Sequence, residues 1–310
     1  MPVLADQVVT NLITNLDGLY LDGTIGAGGH AELMLRKLSK NAHYIGLDRD
    51  NNAVTRTRAR FSGDPRVTVI HADYRNLASI LKAEGVAQVH GFLLDLGLSS
   101  VQLDDQSRGF AYRLDGPLDL RFDTTTGISA ADWLNSSDEE QITTALREFG
   151  EERHAKRMAR LIVAARPAGI KTTSDLAAII RKVSGPHGLE FGRSAARVFQ
   201  ALRIVVNNEL DAIPQAMTDA VDALAEGGRM VIISYHSLED RLVKNFMREA
   251  ARECNCPTSY PHCMCGANPR GVLVQRRAFI PTEDEINSNP RAKAAKMRVF
   301  ERRSRLGGRR

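Results

Sequence analysis

The segment Asp22-Gly23-Thr24-Ile25-Gly26-Ala27-Gly28-Gly29-His30 puts four glycines into nine residues, between an apolar run and a stretch of helical length. A glycine-rich turn in that position lets the backbone approach a ligand closely. Asp48 lies 20 residues after Gly28, at the end of the next apolar run, where an acid accepts hydrogen bonds from ribose hydroxyls. Together they point to a cofactor that contains adenosine. The pattern Gly26-x-Gly28-x-x-Ala31 also fits the loose dinucleotide fingerprint, so spacing alone reads equally as NAD or as S-adenosylmethionine. A third acid, Asp95, closes another apolar run and is the best-placed carboxylate to accept a bond or proton from a substrate beside such a cofactor. His236 follows the run Met230-Val231-Ile232-Ile233; it is a candidate for holding a base or relaying a proton, or for anchoring the next helix. Cys254, Cys256, Cys263 and Cys265, with His262 among them, gather zinc-type ligands within twelve residues. Their pairs enclose one residue where structural zinc pairs usually enclose two to four, so a reduced loop is the competing reading.

These residues need elements to hold them. Leu19-Tyr20-Leu21, Tyr44-Ile45-Gly46-Leu47, Val67-Thr68-Val69-Ile70 and Val89 to Leu94 read as strands, ending at Asp22, Asp48, Asp73 and Asp95. Helical stretches such as Ala31–Leu38 and Asn52–Phe61 lie between them, and strand-helix alternation implies parallel pairing through right-handed crossovers. Ligands of such doubly wound sheets bind outside the carboxyl ends of the strands, so the four acids are expected at one crevice. Leu96 to Asp123, with Gly97, Gly109, Gly116 and Pro117, reads as a long ordered loop of the kind that carries function. From Ser129 to about Val206 the apolar period is helical, with Ser137-x-x-Glu140 as a capping box and Thr173 or Ser174 as a later cap. The α/β pattern resumes with a helix over Leu210–Leu224, and Val272-Leu273-Val274 reads as an edge strand. The expected organisation is a core over 1–123, an inserted all-helical substrate domain over 124–206, a second core part over 207–281 and a basic tail over 282–310.

Composition narrows the class. In 310 residues, 43% are hydrophobic and 25% charged, which excludes wholesale disorder. Neither an apolar run of about 18 residues nor a signal-peptide pattern is present, so a cytoplasmic protein with no membrane partner is expected. The net charge of +5 hides a split: from Arg270 onward twelve Lys and Arg face four Asp and Glu, while the rest of the chain holds thirty against thirty-three. A basic terminus suits a polyanion, nucleic acid foremost. Arg153, Lys156, Arg157 and Arg160 offer a second basic stripe, on a helix that also carries Met158, Ile162 and Val163.

Longer strings resemble a known family. Asp22-Gly-Thr-x-Gly-x-Gly-Gly-His30, Asp48-Arg49-Asp50, Leu93-Leu94-Asp95-Leu96-Gly97-x-Ser99-Ser100-x-Gln102, Arg108-Gly109-Phe110, Asp115-Gly116-Pro117-Leu118-Asp119, Gly150-Glu151-Glu152-Arg153, Phe199-Gln200-Ala201-Leu202-Arg203 and His236-Ser237-Leu238-Glu239-Asp240-Arg241 are similar, in order, to the MraW family of methyltransferases. The resemblance implies a Rossmann-like class I methyltransferase: a doubly wound, mostly parallel α/β sheet with an inserted all-helical domain. It implies S-adenosylmethionine as cofactor, and methylation of the exocyclic N4 of a cytosine in the decoding region of small-subunit (16S) ribosomal RNA, met within the small ribosomal subunit. Cofactor contacts are implied at Gly28, Gly29, His30, Asp48, Tyr74, Asp95 and Gln102. Tyr74 stands where the family often has Phe, and Val101 where Pro is usual. For the chemistry, Asp95 and His236 are the catalytic candidates, with Asp115 and Asp119 behind them; Phe110, Tyr112 and Tyr235 are candidates for stacking on the base. The competing functions are an NAD-dependent oxidoreductase, which shares the glycine turn and Asp48, and a noncatalytic RNA-binding assembly factor.

Overall fold

Tyr20 and Leu21, successive residues of the first strand, are 0% and 1% exposed. Side chains of a strand alternate between faces, so a strand buried at consecutive positions must be covered on both sides. The structure, a computed structural model describing residues 2–185, 188–254, 256, 264 and 267–303, meets that demand with a sheet between two helical layers. Its strands are β1 (Leu19–Asp22), β2 (His43–Asp48), β3 (Val67–His71), β4 (Val89–Asp95), β5 (Leu224–Ser234), β6 (Gly271–Leu273) and β7 (Lys296–Arg302). Among the described residues they run in the order β3-β2-β1-β4-β5-β7-β6. The first five are parallel, and β7 is antiparallel to both β5 and β6. This is the doubly wound, mostly parallel, Rossmann-like sheet expected of a class I methyltransferase.

The helices, in chain order, are α1 (Ala5–Leu12), α2 (Gly29–Leu35), α3 (Asn51–Arg60), α4 (Leu77–Ala83), α5 (Ser100–Asp104), α6 (Ala130–Ser136), α7 (Glu139–Glu148), α8 (Ala155–Ala165), α9 (Thr173–Ser184), α10 (Leu189–Asn207), α11 (Glu209–Ala223), α12 (Ser237–Ala250) and α13 (Glu283–Ser288). Phe92 and Leu94 of β4 pack with Leu77, Val221 and Met247 on one face of the sheet, while Leu93 packs with Val8, Met34 and Val299 on the other. The chain divides into two compact units, residues 1–97 with 210–310, and residues 98–209. The second unit therefore begins at Leu98 rather than at residue 124. Phe110, Leu118, Leu120 and Phe122 of the long loop are buried with Leu146, Met158, Ile180 and Leu202 of the helices, which draws the loop into the helical unit.

Two caps fall one or two residues from their expected places. Asp138, not Ser137, caps α7, in a box with Gln141; Thr172, not Thr173 or Ser174, caps α9, in a box with Asp175. Ser137 instead closes α6, its N–H donating to Trp133 O at 2.9 Å. The larger correction is at the end of the chain. Residues 296–302, counted in the basic tail from their charge, form β7 inside the sheet, with Met297, Val299 and Phe300 buried at 0%, 1% and 0% exposure. Their charges are answered internally: Arg298 Nε donates to Asp240 Oδ1 at 2.7 Å, and Glu301 receives Arg229 Nε at 3.0 Å. Val272 and Leu273 lie on the edge strand as expected. Arg305, Arg309 and Arg310 lie outside the described residues. Among the described residues no helix is long and apolar enough to cross a membrane.

Candidate active site

Parallel pairing brings the carboxyl ends of β1, β2 and β4 to one edge of the first unit, with Asp22 opposite Gly46 and Leu93, and Asp95 opposite Ile233. Three of the four strand-end acids gather there. Asp73 is used otherwise: it caps a 3₁₀ turn over Tyr74–Asn76 and receives the Arg75 guanidinium at 2.7 Å.

The glycine turn is laced to its neighbours through the backbone. Ile25 N donates to Leu47 O at 2.8 Å, and Gly26 N donates to Asp48 Oδ2 at 2.9 Å. The other oxygen of Asp48 takes the N–H of Asp50 at 2.8 Å. A carboxylate offers about four acceptor positions, so each oxygen keeps a lone pair for a ligand hydroxyl. Burial raises the Asp48 carboxyl above its ordinary value, against the two amide bonds that lower it. Gly26 and Gly28 have φ of 52° and 77°, a left-handed conformation costly for other residues. At Gly28 an added Cβ would meet Phe61 at 2.6 Å, whereas at Gly26 the nearest atom would be Thr24 O at 3.8 Å. Beside Gly26, then, the chain leaves room.

His30, in the first turn of α2, is 6% exposed, and neither ring nitrogen has a hydrogen-bond partner in the protein. Its Nε2 lies 3.4 Å from Asp95 Oδ2. Buried polar atoms are normally satisfied, so an unanswered imidazole beside an open turn marks a place for ligand atoms. Asp95 is fixed from two sides: its N–H donates to Thr24 Oγ1 at 2.7 Å, and Tyr235 Oη donates to its Oδ1 at 2.8 Å. Burial first, then the Asp95 charge, drives the Tyr235 phenol far above its ordinary range, so it remains a donor at any working pH. Oδ2 is the oxygen left toward His30.

Asp22, 2% exposed, sits behind the turn and accepts from Thr24 N and Tyr44 Oη, both at 3.0 Å. Burial pushes its carboxyl up to about 6 despite those bonds. Neither Asp22 with Tyr44 nor the Thr24 and Tyr235 clamp on Asp95 was foreseen as a unit. Thr24 lies within the glycine segment and Tyr235 beside His236, but their joining crosses three strands and has no local signature.

The remaining sequence candidates separate. Tyr74 is 6% exposed and packs in the core with Leu21 and Leu94. Its Cβ stands 3.1 Å from where a side chain on Gly23 would begin, so it adjoins the turn. His236 is the N-cap of α12: Nδ1 accepts from Glu239 N at 3.4 Å, while Glu239 Oε2 takes the N–H groups of Tyr235 and His236 at 2.8 and 3.3 Å. Its Nε2 lies 3.1 Å from Glu239 Oε1. Gln102 belongs to the second unit, where it closes the capping box of α5 with Ser99. Asp119 is held by the Arg121 guanidinium at 2.7 Å and, burial notwithstanding, below the ordinary carboxylate range. Phe110 is packed against Phe122 with ring centroids 5.4 Å apart, which removes it as an exposed stacking surface. Cys256 N donates to Cys254 Sγ at 3.3 Å, while His262, Cys263 and Cys265 lie outside the described residues. Among the described residues no group of three or more His, Cys, Asp or Glu side chains forms a metal site.

The model of the MraW methylase family matches residues 1–303. A Heliobacterium modesticaldum protein named ribosomal RNA small subunit methyltransferase H is 42% identical over 307 residues, covering 97% of this chain and 98% of its own. Proteins of the same name from Fusobacterium nucleatum and Clostridioides difficile are 41% and 40% identical, each covering 97% of this chain and 96% and 97% of their own.

Proposed function

The chain belongs to the MraW methylase family, and from that membership we propose that it transfers a methyl group from S-adenosylmethionine to the exocyclic N4 of a cytosine in the decoding region of small-subunit (16S) ribosomal RNA. Its partner is that RNA, within the small ribosomal subunit. The observation that carries the reading is the strand-end site itself. One glycine turn is tied to Asp48 through Gly26 and to Asp95 through Thr24, with the unpartnered His30 ring beside it.

The residues fit the cofactor. Asp48 accepts ribose hydroxyls, the open side of Gly26 lets the ligand reach the turn that Gly28 and Gly29 shape, Tyr74 walls the turn and His30 hydrogen-bonds ligand atoms; Gln102, in the capping box of α5, is a further contact that the family resemblance implies. When bound, S-adenosylmethionine supplies an electrophilic methyl group on a cationic sulfur. Asp95 then does the work on the acceptor. The cytosine amino group is a weak nucleophile because its lone pair is delocalised into the ring, and an N–H bond accepted by Asp95 Oδ2 favours the pyramidal geometry that frees that lone pair. As the N–C bond forms and the C–S bond breaks, the nitrogen loses a proton to Oδ2 or to water beside it. Tyr235 keeps the other oxygen occupied, so the carboxylate presents one face. Beyond this the protein mainly aligns donor and acceptor for an in-line displacement, with the base taken out of its stack. His236 supports the turn that carries Tyr235.

Labelled S-adenosylmethionine incubated with small subunits from cells lacking the enzyme, followed by digestion of the RNA, tests the reading. Label is expected in N4-methylcytidine. Label in another nucleoside overturns the specificity, and no label returns the noncatalytic RNA-binding reading. Thermal shift by NAD but not by S-adenosylmethionine would favour an oxidoreductase.

A further inference from the structure

In the second unit, Arg113 lies over the ring of Tyr112 at 5.4 Å, and Arg181 lies over the ring of Phe191 at 5.0 Å. The two rings meet edge to face at 6.0 Å, and Tyr112 rests on Phe199, 5% exposed, at 6.1 Å. Four side chains from a loop, α9 and α10 thus form one continuous stack whose two ends are exposed guanidinium groups. Arg121, Arg197 and Arg203 of this unit face carboxylates, at Asp119, Glu152 and Glu209, and Arg157 and Arg166 donate to main-chain carbonyls. Among the described residues, Arg113 and Arg181 have no carboxylate within ion-pair distance; the Arg113 Nε donates only to its neighbour Tyr112 Oη, at 3.2 Å.

The stack is also held in place. Thr173 Oγ1 donates to Leu114 O at 2.6 Å and accepts from Gly116 N at 3.1 Å, and Thr173 N donates to Gly116 O at 3.0 Å, which pins the loop to the start of α9. At the other end of α9, the exposed Arg157 of α8 donates to Lys182 O at 3.3 Å, bringing a further cation to the end that carries Arg181.

We propose that this surface of the second unit, centred on Tyr112, Arg113, Arg181 and Phe191, binds unpaired RNA, the guanidinium forks taking phosphates while bases stack against the guanidinium planes and ring edges. The proposal rests on the reading above that the substrate is RNA, and adds where the strand around the target is gripped. Three physical reasons favour single-stranded RNA over other ligands. Guanidinium groups without counter-ions fit a polyanion. Their planar forks match phosphate, and stacking on a ring orders the long side chain before the ligand arrives, so less entropy is lost on binding. Arginine planes and aromatic rings are also what splayed bases stack on, whereas a duplex hides its base faces.

The test uses the full-length protein, with fluorescence anisotropy of a labelled, unstructured RNA of about twelve nucleotides over a range of salt. Loss of two phosphate contacts lowers the slope of log K against log salt by about 1.4, and weakens binding more than tenfold near 0.1 M salt, at about 0.7 per contact for single strands. R113A/R181A is expected to show both changes, while R147A, on the exposed side of α7, retains wild-type binding. Should the double alanine variant unfold, R113K/R181K carries the test: it keeps the charge and hence the slope, but loses affinity severalfold because the planar fork is gone. Wild-type affinity and slope in the folded double variant overturn the proposal. So does equal competition by duplex RNA or by polyglutamate, the latter marking an acidic protein surface as the partner. Normal RNA binding by the double variant of an enzyme that makes N4-methylcytidine sinks this inference alone. Arginine-dependent RNA binding without methyl transfer sinks the catalytic reading alone.

Discussion

Asp95 and His236 both follow strands at the same edge, yet their surroundings differ. The Asp95 carboxylate has one oxygen held by Tyr235 and the other near an unpartnered imidazole, while the His236 ring caps α12 through Nδ1 and turns its Nε2 toward Glu239, 3.1 Å from Oε1. Asp95→Ala is therefore expected to lower turnover by about a hundredfold or more, the usual scale for a positioned acid or base. His236→Ala should leave most of the turnover and cost about 1 kcal/mol of stability, as lost caps do. Single-turnover rates and melting curves of the two variants check this; similar near-wild-type rates in both would remove Asp95 from the chemistry. Asp22 makes a prediction about pH. Its folded carboxyl, at about 6, lies above the ordinary 3.8, so the folded state holds the proton more tightly. The stability this contributes is full below about pH 4 and is lost as pH rises through about 6, on the order of 3 kcal/mol at 1.36 kcal/mol per unit. Asp22→Asn keeps an acceptor for Thr24 and should flatten that part of the stability curve, which denaturant titrations between pH 4 and 7 measure. An unchanged curve would mean that Asp22 ionises freely in the folded protein.

At the scale of the element, the glycine turn separates two demands that look alike in sequence. Both Gly26 and Gly28 need positive φ, but only Gly28 is packed against the chain, by Phe61. Gly28→Ala should destabilise the fold by more than the 1–2 kcal/mol of left-handed strain alone, because Phe61 must also move. Gly26→Ala carries the strain without the clash, and its methyl group enters the space where the cofactor is expected. Calorimetric titration with S-adenosylmethionine should show at least a tenfold loss of affinity in a folded Gly26→Ala protein. Unchanged affinity would leave the turn structural only. The turn's existence was legible because glycine spacing after an apolar run is a local pattern; the unequal crowding of its two glycines was not, since Phe61 arrives from the C-terminal end of α3, which it caps.

For the whole molecule, the first unit is assembled from both ends of the chain. Leu4 N donates to Glu285 Oε1 at 2.6 Å, Arg229 reaches Asn11 O at 3.0 Å, and β7 fills the place between β5 and β6. A detached tail would tolerate truncation of a buried phenylalanine, whereas an internal strand would not. Phe300→Ala, at a position with 0% exposure, is expected to cost about 3–5 kcal/mol and to lower the melting temperature visibly; a melting curve like wild type would contradict the strand assignment. The amino-acid sequence by itself determined the strand-helix alternation, the acids at strand ends, the glycine turn with Asp48 in step behind it, and the helical period of the middle of the chain. These follow from spacing along the chain, which side-chain periodicity and backbone conformation translate directly into local structure. Only the tertiary structure decided that Lys296–Arg302 is a strand rather than a polycation, that the long loop belongs to the helical unit, that His236 is a cap, and that Tyr235 and Thr24 clamp Asp95. Each depends on a partner tens to hundreds of residues away, and the energy of burying Phe300 or pairing Arg298 with Asp240 exists only once those distant segments have met.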